Sequence, residues 1–68
     1  MLKVNVIRSR MALLGKSQHE IASMLGISRN TMSSRMTGKS SFTLEEVDQL
    51  CKILGIVDDK EKRFIFLS

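Results

Sequence analysis

Ser17-Gln-His-Glu-Ile-Ala-Ser-Met-Leu-Gly26-Ile-Ser28-Arg-Asn-Thr-Met-Ser-Ser-Arg-Met-Thr37 is the stretch from which the fold is read. Ser17 and Glu20 have the spacing of a capping box, in which each residue satisfies an orphan amide of the other at a helix start. Ile21, Ala22 and Leu25 follow at intervals that fall on one helical face. Gly26 stands where that helix has to stop, in a left-handed conformation that costs glycine little. Ile27 comes next, and Ser28 caps a second helix whose apolar residues, Met32 and Met36, form an i, i+4 pair. This rotation turns Arg29, Asn30, Ser33 and Ser34 away from the core. A short helix with a hydrogen-bonding outer face suits the floor of a DNA major groove.

Helix lengths, turn and caps agree with one another, and together they resemble the helix-turn-helix of the Cro/CI-type phage regulators, the lambda-repressor-like or XRE-type family. The residues that carry the resemblance are Gln18, Ile21-Ala22, Leu25-Gly26-Ile27, Ser28-Arg29-Asn30-Thr31 and Gly38-Lys39, within a likeness over residues 5–56. It implies an all-α fold, a small lambda-repressor-like bundle of about five short helices with the helix-turn-helix at its centre. It also implies base contacts from Arg29, Asn30 and Ser34, with Ser33 close by. In the resembled family the start of the first of these helices points its amides at a phosphate, and Gln18 matches the glutamine found there. The loop after the recognition helix runs beside the phosphate backbone, which assigns that role here to Lys39, Ser40 and Ser41. Arg10, Lys16, Ser17 and Ser28 complete the expected phosphate contacts. Arg35 departs from the pattern, standing where many members carry an apolar core residue. Its aliphatic stem can still cover core surface while the guanidinium reaches a carboxylate or phosphate.

Charge is more telling by half than in total. The 68 residues carry a formal net charge of +4. Residues 1–40 contain seven basic residues against Glu20 alone, whereas residues 41–68 contain four basic and six acidic. The basic half holds the expected recognition helix, as a DNA binder requires. A chain of this length is expected to form one domain, 1–68, near the lower limit for folding on a single core. Cys51 is the only cysteine, so no internal disulfide supports the core, and a lone thiol fits a reducing cytoplasm. No stretch is long and apolar enough for a membrane span or a signal peptide, so no membrane association is expected.

Flanking segments supply the scaffold. Met1 to Val4 reads as an extended lead-in, after which Asn5 is expected to cap a helix over 6–14 with Ile7, Met11 and Leu14 on one face. Phe42 is placed to plug the core. Thr43 and Glu46 repeat the capping-box spacing ahead of Leu44, Val47, Leu50, Cys51 and Leu54, the cleanest amphipathic stretch of the chain. Asp58 with Glu61 is expected to cap a last helix over 59–65. Phe64-Ile65-Phe66-Leu67 is too long an apolar run for one helical face. Phe64, Phe66 and Leu67 are therefore candidates for a dimer or partner contact, or alternatively complete the core.

The leading functional reading is a sequence-specific transcriptional regulator, Cro-like or a small phage or prophage repressor, binding a double-stranded operator as a homodimer. Two alternatives use the same fold: a protein-interaction module that grips another phage regulatory protein, as an antirepressor or modulator, and the antitoxin of a toxin–antitoxin pair. An enzyme is the least supported class. His19 has no companions at metal-ligand spacing and reads as a surface histidine near DNA; no nucleophile has an evident base; no phosphate-cradling glycine loop is present. No cofactor or metal is expected.

Overall fold

A computed structural model describes residues 2–67; Met1 and Ser68, the outer ends of the expected domain, lie outside the described residues. Five helices follow one another: α1 Val4–Leu13, α2 Gln18–Leu25, α3 Arg29–Thr37, α4 Leu44–Leu54 and α5 Asp59–Phe66. Among the described residues there is no strand. α2 packs on α3 and α4, and α1 closes the other side against α4 and α5.

The caps written in the sequence set most of these boundaries. At Thr43 the hydroxyl accepts from the Glu46 amide at 3.1 Å, while the Thr43 amide donates to the Glu46 carboxylate at 3.1 Å. This is the reciprocal box expected from spacing alone. Every helix then contributes to one apolar centre. Ile7, Ile21, Met32, Leu50, Leu54, Ile56 and Ile65 are essentially inaccessible to solvent. Cys51 is buried among them, and burial pushes its thiol above the ordinary range, as suits a small core residue rather than a nucleophile.

The first helix differs from expectation. It begins at Val4 with Lys3 as N-cap, and no side chain caps it; Asn5 is exposed inside the first turn. The amide of Lys3 donates instead to the carbonyl of Ile65 at 2.7 Å, so a tertiary bond to α5 fixes where the chain enters α1. The apolar stripe shifts one turn earlier with it. Ile7 and Met11 are buried and Val4 packs against them, whereas Leu14 is 48 % exposed.

Two further corrections concern α4 and α5. Leu44 opens α4 but is 90 % exposed, leaving Leu50, Cys51 and Leu54 as its buried face with Val47 partly covered. Asp58 caps α5 by accepting from the Lys60 amide at 3.2 Å. Glu61 does not complete a box, because its carboxylate is drawn across to the guanidinium of Arg10 on α1. The apolar tail divides. Ile65 is buried, and Phe66 packs against the core edge-on to Phe42 with ring centroids 6.1 Å apart. Phe64 and Leu67 are exposed, the former with the Lys3 ammonium 5.4 Å from its ring centroid.

Arg35 holds α3 to α4. Its Nε and Nη2 donate to the two oxygens of Glu46 at 2.9 and 3.4 Å. Two N–H groups set against two carboxylate oxygens add geometric specificity to the charge attraction. The contact raises the guanidinium above its ordinary value and, with the Thr43 amide adding to it, holds the Glu46 carboxyl below the usual glutamate range. A carboxylate whose folded pKa is depressed stabilises above its unfolded value and loses that contribution as pH falls through the folded value. Glu46→Gln is expected to lower the melting temperature at neutral pH, and to flatten the loss of stability below the ordinary glutamate range. Thermal melts of both proteins across a pH series check this; parallel curves would contradict it.

Candidate nucleic-acid interface

The start of α2 is fixed by its own sequence. Ser17, in extended conformation, accepts from the Glu20 amide at 3.1 Å and donates its own amide to the Glu20 carboxylate at 3.0 Å. The Ser17 amide and hydroxyl hold that carboxyl below its ordinary range, so Glu20 stays ionised while folded back on the helix. The amides of Gln18 and His19, at the first two helical positions, are the orphan donors such a start directs outward.

The turn into α3 is equally local in origin. Gly26 is left-handed, with φ 73°. The Ile27 amide donates back to the Ala22 carbonyl at 3.0 Å, and the Gly26 amide to the Ser23 carbonyl at 3.1 Å. Ile27 returns to the edge of the core. Ser28 then caps α3, accepting from the Thr31 amide at 3.0 Å and donating its hydroxyl to the Thr31 hydroxyl at 2.9 Å. Only Met32 and Met36 of α3 are buried. With those two inward, Arg29, Asn30 and Ser33 are exposed.

These placements converge on one feature, an open cleft between the start of α2 and the outer side of α3. Gln18, His19, Arg29, Asn30, Met32 and Ser33 line it. Polar donors and acceptors from two helices thus share a concave surface floored by a methionine. Arg29 leans across it, its Nε donating to His19 Nδ1 at 3.0 Å. The sequence placed His19 on the surface near DNA but carried no signal of this bond, which spans the turn.

Other expected contacts stand elsewhere. Ser34 is half-buried, its hydroxyl 2.9 Å from that of Ser40, and the Ser40 amide donates to the Ser34 carbonyl at 3.2 Å. Arg35 Nη1 donates to the same Ser40 hydroxyl at 2.7 Å. Ser34 and Ser40 thereby belong to the network that leads to Glu46, whereas Lys39 and Ser41 on the same loop are exposed. Lys16 is half-buried just ahead of α2. Arg10 is committed within the fold, to Glu61 and to the Leu54 carbonyl.

Gly26 gives the geometry a clean test. A Cβ added there meets no atom within 4 Å, so the cost of a side chain is conformational alone. Gly26→Ala is expected to destabilise the fold by about 1–2 kcal/mol, the cost of an L-residue in the left-handed region. Denaturant titration with an unchanged m-value would show it; a neutral substitution would mean that the turn is not held in this conformation.

A family model described as helix-turn-helix matches residues 7–61, which takes in all of the cleft, the whole of α2, α3 and α4, most of α1 and the start of α5. No curated protein and no solved structure is similar enough to count as a match. The matched span, the all-helical order, and the capped α2–turn–α3 unit coincide. The chain therefore belongs to the helix-turn-helix family of XRE or lambda-repressor-like DNA-binding regulators.

Proposed function

We propose that the chain is a small Cro-like or repressor-type regulator, phage or prophage in kind, that reads operator DNA in the major groove with α3. The observation that carries this reading is the shared cleft: Arg29, Asn30 and Ser33 stand beside Gln18 at the start of α2. Arg29 has the donors for guanine and Asn30 the paired donor and acceptor for adenine. Ser34, one turn on, already shares a hydrogen bond with Ser40, and its hydroxyl keeps a further hydrogen-bonding site for a base or phosphate. The α2 start, with Lys16, Ser17 and Gln18, and the loop with Lys39, Ser40 and Ser41 flank the cleft with phosphate-binding groups. Ser28 contributes its position at the α3 start more than its hydroxyl, which is already engaged. Arg10 is left out of the contact set, since a phosphate would have to displace Glu61 from it.

Repression follows from occupying promoter DNA. Half-sites on DNA lie about 34 Å apart, and a molecule 28 × 25 × 20 Å across allows two copies side by side at that spacing. We place the homodimer contact at the end of α5, where Leu67 is 78 % and Phe64 54 % exposed; Phe66 supports them from the core edge. The same exposed residues favour the second reading, an interaction module that grips another regulatory protein. A cytoplasmic setting is part of the proposal. No described helix is long and apolar enough to cross a membrane.

Arg29→Ala is expected to cost about 1–3 kcal/mol of binding to the preferred sequence and to relax one base position. Selection from random duplex DNA reads this out, and an unchanged consensus would remove the base-reading assignment. Lys39→Ala is expected to weaken all sequences alike and to reduce the logarithmic salt slope by about 0.9. Fluorescence anisotropy at several salt concentrations measures the slope; a loss confined to one sequence would contradict a backbone role.

A further inference from the structure

Arg29 is exposed, yet its guanidinium is held. Nε donates to His19 Nδ1 at 3.0 Å, and Nη2 lies 3.4 Å from Nε2 of the same ring. One edge of the guanidinium, formed by Nε and Nη2, therefore faces the imidazole. The terminal edge, formed by Nη1 and Nη2, is the one left for another partner. The imidazole is itself well placed, at the second position of a helix whose start is locked by the Ser17–Glu20 box, and it lines the cleft together with Asn30 and Ser33.

We propose that His19 is a positioning residue that decides which edge of Arg29 is offered to DNA, and that guanine is the base selected there. This rests on the reading of α3 as the base-reading helix. Guanine presents two acceptors, O6 and N7, which match two terminal N–H groups side by side; adenine presents an acceptor next to a donor, which a fork of two donors does not match. An untethered Arg29 also presents its Nε edge and reaches phosphate oxygens, which carry no base identity. Held by His19, the planar fork is preorganised and loses less freedom on forming its pair. His19 thus acts on specificity through Arg29 without needing to touch the base.

The test is selection from random duplex DNA with the full chain and three variants, Arg29→Ala, His19→Ala and His19→Asn, alongside thermal melts. Asparagine offers an amide oxygen close to where Nδ1 lies. The wild type is expected to enrich guanine at one position of each half-site. Arg29→Ala removes that preference, roughly 5- to 150-fold for a bidentate pair. His19→Ala lowers it at the same position by about 2- to 12-fold, the net range for a typical intramolecular hydrogen bond. His19→Asn restores most of it, and neither His19 variant changes the melting temperature. If His19→Ala keeps the preference that Arg29→Ala abolishes, His19 does not position Arg29, and the base-reading role stands without it. If His19→Asn is as poor as His19→Ala, an acceptor at Nδ1 is not what matters and the proposal is overturned. If the wild type enriches no sequence, or Arg29→Ala changes none, the base-reading role falls and this proposal with it.

Discussion

A nine-residue helix reading RNTMSSRMT has little to hold it in place by itself. Isolated helices shorter than about 12–15 residues are marginal in water, and this one buries only Met32 and Met36. Its position is therefore imposed by its neighbours. The left-handed Gly26 sets the angle of approach, Ser28 satisfies the first turn, the two methionines anchor the inner side, and Arg35 clamps the far end to Glu46. These restraints act at both ends of the helix and on its inner side. The outer side of the first turn is left to Arg29, Asn30 and Ser33, the part of the molecule we propose meets a groove.

Electrostatics divides along the same line. Three of the six acidic residues of the C-terminal segment are ion-paired: Glu46 with Arg35 and Glu61 with Arg10 between helices, and Asp48 with Lys52 on the exposed side of α4. Two of the seven basic residues in the first forty are thus neutralised within the chain, and Lys3 sits over Phe64. The positive groups that remain around the cleft and its flanks are Lys16, Arg29 and Lys39. Phosphate binding counted from formal charge would overshoot, because ion pairs that hold helices together do not also release counterions from DNA.

Local signals in the sequence carried a long way. Ser17 with Glu20, Thr43 with Glu46, Gly26 and Ser28 act over three or four residues, and each does in the structure what its spacing implied. The expectation that the Arg35 head reaches a carboxylate also holds. What the sequence could not display were bonds between residues far apart in the chain. Lys3 to Ile65 displaced the expected cap at Asn5 and moved the α1 stripe from Ile7-Met11-Leu14 to Val4-Ile7-Met11. Arg10 took Glu61 from the expected box at Asp58, and Ser34 turned toward Ser40. In the cleft, Arg29, Asn30 and Ser33 were legible as one face of α3 from helical periodicity, and Gln18 from the family resemblance. The bond from Arg29 to His19 was not, since it depends on how two helices cross.

We propose that DNA meets the outer side of α3 and the start of α2. Amide chemical-shift mapping of the labelled protein, titrated with duplex DNA, tests it most directly. The largest perturbations are expected on Gln18, His19, residues 28–34 and the loop over 38–41, and raising the salt concentration is expected to reverse them. Perturbations confined to α5 and the exposed leucines, with the cleft amides unmoved, would contradict it.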